Sequence, residues 1–286
     1  MRLLAHVMPW FGDSNIHRMT SYVSNDPVVI TNQINILMTV RTFGIQCQGV
    51  IMTWQGPNAA FQHSCVMEWN RQCVDRGLLF CLLMDPWLAK IGSPDGTANL
   101  QTTLNALNHA DTQTMLNSAC YVPELYLLDF NIAQNASTPF SIPNDVAPHF
   151  PTWTFLEQGS GFAWPAIPSI VKSEDRNAAS VANLQSQHQN PAMKVPAVGL
   201  RFMDAGQPTP VGVTLANWTG SRDYNSSVWG GAARVLDTQG GKLFFDYFDT
   251  VPGSTPYLGL VTWNDYDEQT DVEAFYAMLA GIRIGS

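Results

Sequence analysis

In the first half of the chain, short apolar segments alternate with segments in which apolar residues recur at helical spacing. Short apolar runs suited to buried strands occur at 3–8, 49–54, 78–84 and 125–130. Between these runs, apolar residues recur at helical spacing in segments 28–43, 59–76 and about 98–117. Glycines at 44 and 77 mark the ends of the first two helices. Strands that are apolar throughout and alternate with helices are typical of parallel βα units.

The second half continues this pattern less regularly. It predicts strands at 152–156, 195–203, 211–216 and 257–263, helices at 177–189, 241–251 and 272–282, and a long loop at 158–176. About eight strands in 286 residues favour an α/β fold, a single-domain (β/α)8 TIM barrel over 1–286. A doubly wound sheet is the main alternative, but a glycine-rich phosphate turn is missing after the first strand.

Composition and charge exclude several classes of protein. Fourteen basic and 23 acidic residues give a net charge of −9, and 45% of the residues are hydrophobic. The chain is therefore too apolar to be disordered and too acidic to favour nucleic acid as a partner. No apolar run approaches the ~20 residues that span a bilayer, so we expect no membrane partner either. Oligomeric state is left open.

The cysteines and the N-terminus indicate no special chemistry. There is no C-x-x-C among the five cysteines and no histidine pair at zinc-site spacing, so we expect buried, hydrophobic cysteines and no metal or organic cofactor. The first residues resemble a signal peptide, but His6, Pro9 and Asp13 interrupt the apolar region. The expected location is cytoplasmic, or secreted with a leader removed.

Tryptophans and carboxylates concentrate at the predicted strand ends, although only 13% of the residues are charged. In a (β/α)8 barrel the active site lies at the carboxyl ends of the strands. Aromatic rings that stack on sugars, next to carboxylates that handle protons, suit a carbohydrate ligand. Each residue also has a simpler explanation, since a tryptophan can pack in the core and an aspartate can cap a helix. The residues concerned are Trp10, Trp54, Asp85, Asp129, Glu157, Asp204, Trp218 and Trp263.

The segment 262–273, TWNDYDEQTDVE, places carboxylates and a tryptophan directly after the last strand. Glycoside cleavage needs two carboxyl groups, one to protonate the leaving oxygen and one to act as base or nucleophile. Two carboxylates three residues apart on a turn can face one cavity. The alternative is an acidic cap on the last helix, with Thr270 or Asp271 as N-cap. That alternative accounts for Asp271 and Glu273 better than for Asp265 and Glu268.

The same segment resembles a motif of known glycosidases. TWNDYDEQTDVE is similar to the TWNEWHEGTQIE-type motif of glycoside hydrolase family 99 and to the WNDYGE motif of family 71. Four further stretches are similar to parts of these families: LLAHVMPWF, GIQCQGVIMTWQGP, LLFCLLMDPW and RDYNSSVW. The similarity is distributed over most of the chain, but segment 131–195 matches nothing in either family, and its role is left open.

The resemblance implies roles for particular residues. Asp265 and Glu268 correspond to the catalytic pair of both families, and Asp85 corresponds to an early aspartate of family 71. Asp267 and Gln269 depart from the motif, which has histidine or glycine at the first position and glycine at the second. Family 99 retains the anomeric configuration through the sugar 2-hydroxyl, whereas family 71 inverts it. The sequence does not decide between the two mechanisms.

Together these observations predict an endo-acting glycosidase for an α-linked glucan or mannan. Glu268 is expected to be the general acid and Asp265 its partner, although the order could be reversed. The alternative is a barrel that binds carbohydrate without cleaving it. A metal-dependent deacetylase or amidohydrolase is disfavoured because the chain lacks a His-x-His cluster. Substrate contacts are expected from Trp10, Trp54, Asp85, Asp129, Trp218, Arg222, Tyr224, Trp263 and Asn264.

Overall fold

The structure of the protein is a computed structural model. It describes residues 1–10, 12, 23–39, 41–42, 45–84, 105–128, 173–189, 193, 195–199, 202–204, 234–236 and 242–262.

Nine strands and five main helices follow one another in these ranges. In chain order they are β1 (Arg2–Val7), α1 (Pro27–Thr39), β2 (Arg41–Thr42), β3 (Ile45–Trp54), α2 (Ala60–Arg76), β4 (Leu79–Met84), α3 (Ala110–Leu116), β5 (Tyr121–Leu128), α4 (Ser173–His188), β6 (Ala197–Gly199), β7 (Phe202–Asp204), β8 (Arg234–Leu236), α5 (Lys242–Phe248) and β9 (Tyr257–Val261). None of these helices is long and apolar enough to cross a bilayer.

Six of the strands form one parallel sheet in the order β5-β4-β3-β1-β9-β6. From β1 to β5 the successive strands of this sheet lie side by side, β9 pairs with β1, and β6 pairs with the other edge of β9. Pairing of the last strand with the first is expected in a (β/α)8 barrel, in which the sheet closes on itself. The predicted α/β class is therefore confirmed, and the strand order is consistent with the predicted barrel.

The two faces of this sheet carry separate hydrophobic clusters. The outer cluster joins alternate strand residues, such as Val50 and Met52, to the buried sides of the helices, including Ile34 of α1 and Trp69 of α2. We call the opposite side the inner face. Its cluster contains no residue of the five helices and consists of Leu4, Ile51, Cys81, Leu83, Val122, Leu125, Val195, Ala197, Tyr257 and Val261. Apolar packing on both faces explains why the strands read as continuous hydrophobic runs.

Glycines shape the contact between β3, α2 and β4. Gly77 ends α2 in a left-handed conformation with φ of 66°, and its N–H bonds back to carbonyls of the last turn. Gly49 lies opposite Leu79, where an added Cβ would come within 2.4 Å of the Leu79 carbonyl oxygen. The end of α2 predicted at Gly77 is confirmed. All five cysteines are buried and free, as the sequence predicted.

Several predicted boundaries were wrong. The helix predicted at 28–43 ends at Thr39, because Arg41–Thr42 pairs antiparallel with the start of β3. The loop predicted at 158–176 overlaps α4, which begins at Ser173. Composition alone did not reveal these ends, since strand pairing and helix packing decide them.

The strand predicted at 195–203 is divided into two. β6 stays in the parallel sheet, whereas β7 pairs antiparallel with β8, so that Asp204 lies opposite Arg234 rather than at the end of a barrel strand. β6 is also hydrogen-bonded directly to β9. The strand predicted at 211–216 lies outside the described residues.

Candidate functional site

A chain of polar contacts lies on the inner face, at the carboxyl ends of β1 and β3. His6 is two residues beyond Leu4 and therefore shares its side of the strand, and Thr53 stands in the same relation to Ile51. The two polar side chains are buried, and His6 Nε2 lies 2.7 Å from Thr53 Oγ1. The Thr53 hydroxyl also lies 3.3 Å from Met8 Sδ, and the tautomer of His6 decides whether Nε2 or the hydroxyl donates in the 2.7 Å hydrogen bond.

Burial determines the charge of His6. Removal from water lowers the pKa of its imidazole to about 3, so His6 is neutral at neutral pH. It therefore contacts Thr53 through a hydrogen bond between neutral groups rather than as a positive charge. We call this buried, hydrogen-bonded pair of His6 and Thr53 the polar floor of the inner face.

The sequence analysis did not single out His6 or Thr53 as members of a site. A signal was available in the two-residue alternation, because both residues follow apolar inner-face residues on strands that pair with each other. It was missed because a histidine inside an apolar run does not reveal which strand lies beside it.

The structure describes two of the predicted sugar-contacting tryptophans. Trp10 lies three residues beyond the end of β1, and its side chain is partly buried. Trp54 is 0% exposed and belongs to the outer cluster, where its Nε1–H donates to Nδ1 of His63 at 3.2 Å. Strand alternation explains this placement, because Trp54 shares the parity of Val50 and Met52, which face the helices. In this position Trp54 offers no open ring face to a sugar.

The remaining predicted residues lie outside the described part of the chain. Three strands that precede some of them are described: β4 ends at Met84, β5 at Leu128 and β9 at Val261. Thr262, which follows β9, is buried, and the Val261–Thr262 peptide bond is cis. The residues concerned are Asp85, Asp129, Glu157, Trp218, Arg222, Tyr224, Trp263, Asn264, Asp265 and Glu268.

A second polar cluster lies between α2 and α3, on the helix side of the carboxyl end of β3. It consists of His63, His109 and Asp111, whose possible ligand atoms lie within 4.8 Å of one another. The sequence predicted no metal-binding spacing, because His63 is 46 residues from His109 and only the packing of the helices brings them together.

Comparison with known proteins supports the fold. The chain is similar to a GH99 endo-α-mannosidase from Bacteriodes thetaiotaomicron, with a TM-score of 0.53, 15% identity, and coverage of 95% of this chain and 86% of the other. It is also similar to a glycoside hydrolase-like protein, with the same TM-score and coverage and 12% identity. No protein-family profile and no curated protein sequence matches it. The chain thus has a glycoside hydrolase-like fold.

Proposed function

We propose that the protein is a glycoside hydrolase, endo-acting on an α-linked mannan or glucan, with Asp265 and Glu268 as its acid/base pair. The observation that carries the proposal is the pairing of β9 with β1. The carboxylate-rich segment begins immediately after β9, and β1 bears His6 near its carboxyl end. The motif that resembles those of families 99 and 71 therefore follows, in the sequence, a strand whose neighbour β1 bears His6 on the inner face, which supports the proposal.

Strand alternation supports the same assignment. Continuing in steps of two along the inner-face residues, the sequence reaches Asp85 from Leu83, Asp129 from Leu125 and Trp263 from Val261. Three of the predicted substrate contacts thus share the parity of the inner face. This shared parity supports a polar rim above the apolar inner cluster.

The choice of an α-linked mannan or glucan is supported by the fold and the motif together. One structural neighbour is named an endo-α-mannosidase, and the Asp-Tyr-x-Glu part of the segment is closest to the motif of the glucan-cleaving family 71. Both classes of substrate expose hydroxyl groups along an extended chain, which an open row of strand-end carboxylates and aromatic rings can bind.

The test is to replace each proposed catalytic carboxyl group by its amide. Asp265→Asn and Glu268→Gln are each expected to lower kcat on the cleaved glycan by about 10²–10⁴-fold, the usual contribution of general acid–base catalysis. Both variants should melt within a degree or two of the parent protein. Asp75→Asn is the matched control, because Asp75 is exposed on α2 and contacts only Arg71 among the described ion pairs.

Screening on α-mannans and α-glucans identifies the substrate, and NMR of the first product anomer distinguishes retention from inversion. Full activity in both amide variants would refute the assignment of the pair. Loss of activity in Asp75→Asn as well would show that the effect is not specific to the proposed site.

A carbohydrate-binding protein without hydrolytic activity is the second candidate. It is favoured by one observation, the departure of Asp267 and Gln269 from the family motifs. Binding of an α-glycan by calorimetry, with no reducing ends released over a day at high enzyme concentration, would establish this candidate in place of the hydrolase.

A further inference from the structure

Three side chains of types that bind metals, two histidines and one aspartate, meet where α2 packs beside α3. His63 lies in the first turn of α2, His109 is the N-cap of α3, and Asp111 lies in the first turn of α3. Asp111 Oδ2 is 3.7 Å from His63 Nε2 and also 3.7 Å from His109 Nδ1. The two imidazole rings are perpendicular, with centroids 5.9 Å apart. One carboxylate oxygen is thus equally distant from two nitrogens.

The buried member of the cluster has an unsatisfied atom that points into it. The side chain of His63 is 7% exposed, and its Nε2 has no hydrogen-bond partner among the described residues. A buried polar atom without a partner is uncommon and unfavourable.

We propose that His63, His109 and Asp111 form a binding site for a divalent transition-metal ion of the Zn²⁺, Co²⁺ or Ni²⁺ type. Two imidazoles and one carboxylate are a common ligand set for these ions. Asp111 Oδ2 is 3.7 Å from each nitrogen and no two of the three atoms are more than 4.8 Å apart, so the point equidistant from them lies at most about 2.4 Å from each, close to the ~2.0–2.2 Å bonds of zinc. Small side-chain movements complete the site, and binding through Nδ1 of His109 replaces the 3.3 Å hydrogen bond that this atom accepts from the Asp111 backbone N–H.

Exposure allows the ion to enter and leave. The side chains of His109 and Asp111 are 46% and 45% exposed, so solvent reaches the cluster from their side while His63 closes it from the protein interior. Water can supply the remaining ligands. Because the three residues come from two helices, the bound ion would join α2 to α3, and the protein should melt at a higher temperature when the metal is present.

The hydrogen bond from Trp54 makes a distinctive prediction. An indole N–H can only donate, so Nδ1 of His63 accepts and the metal-free imidazole carries its proton on Nε2. A neutral imidazole bound to metal through Nε2 carries its proton on Nδ1, where it would face the Trp54 N–H. Metal binding therefore exchanges the Trp54–His63 hydrogen bond for a metal–nitrogen bond, and the environment of the Trp54 indole changes.

Calorimetric titration of the EDTA-treated full-length protein with Zn²⁺ tests the proposal. We expect one ion per chain, and at least about tenfold weaker binding in His109→Asn and in Asp111→Asn, because loss of even a ligand's hydrogen-bond partner commonly costs 10–100-fold. Asparagine at 109 keeps an N-cap side chain on α3. Asp75→Asn, an exposed substitution on α2, is the control and should bind as the parent does.

Two further measurements distinguish this site from others in the chain. Co²⁺ should give a spectrum without a thiolate charge-transfer band, which separates the site from the five cysteines. Trp54→Phe removes the competing hydrogen bond and should bind Zn²⁺ about fivefold more tightly, the equivalent of one ordinary hydrogen bond. Absence of binding at 100-fold excess Zn²⁺, or unchanged affinity in both His109→Asn and Asp111→Asn, would overturn the proposal.

Discussion

The hydroxyl groups of Thr53 and Thr112 provide a matched test of the polar floor. Both side chains are buried, at 5% and 0% exposure. Thr53 Oγ1 is hydrogen-bonded to His6 Nε2 at 2.7 Å and lies 3.3 Å from Met8 Sδ, whereas Thr112 Oγ1 has no hydrogen-bond partner among the described residues. Replacement by valine changes each side chain in the same way, because the shape is nearly kept and the hydroxyl is lost. The two positions differ in hydrogen bonding and in secondary structure, since Thr53 lies in β3 and Thr112 in α3.

Thr53→Val removes the hydrogen-bond partner of the buried His6 Nε2, so we expect the free energy of unfolding to fall by about 1–3 kcal/mol. Thr112→Val removes a buried hydroxyl that is not bonded, so we expect no loss and a gain of up to about 1 kcal/mol. Urea denaturation, followed by circular dichroism at constant pH and temperature, measures both values. Thr114→Val, on the exposed side of α3, is the surface control.

Equal midpoints for Thr53→Val and Thr112→Val would refute this reasoning, because the two variants would then differ in hydrogen bonding without a difference in stability. A larger loss for Thr112→Val would have the same consequence. Unchanged denaturant slopes in all three variants are needed, since a changed slope would mean that the unfolded state had altered as well.

Two other predictions concern pH and backbone packing. The pKa of His6 is about 3 in the folded protein and ~6.5 in the unfolded chain, so the unfolded chain binds more protons as the pH falls below ~6.5. When the pH is lowered from 7.5 to 4.5, the free energy of unfolding should therefore fall by about 2–3 kcal/mol more in the parent than in His6→Gln. Urea denaturation at both pH values measures this difference. Gly49→Ala should lower the free energy of unfolding by about 3 kcal/mol or more, because the new Cβ would meet the Leu79 backbone at 2.4 Å. Gly77→Ala should lower it by only ~1 kcal/mol, because the new Cβ has no atom within 4 Å and only the positive φ is unfavourable. Comparable losses for the two variants in thermal melts would contradict the packing argument.

Local patterns predicted the sheet because each of its long strands is apolar on both faces. The ends of β1, β3, β4 and β9 lie within four residues of the predicted positions, and Gly77 ends α2 as predicted. Short elements were predicted poorly. The two residues of β2 and the three residues of β7 carry too little pattern of their own, and their pairing with β3 and β8 defines them.

The candidate site was only partly predictable for a related reason. The sequence identifies strand ends, and it places the glycosidase-like motif directly after β9. It does not show which side of a strand a residue occupies unless the register is known. Trp54 was therefore predicted to contact sugar, although the structure places it against His63 on the helix side.

The sequence by itself determined the α/β alternation, the buried free cysteines and the position of the carboxylate-rich motif, since these depend on composition and on neighbours along the chain. The tertiary structure decided which strands pair, that His6 meets Thr53 across 47 residues, and that His63 meets His109 and Asp111. Such contacts arise from strand register and helix packing between distant segments. A local pattern of polar and apolar residues carries no information about that geometry.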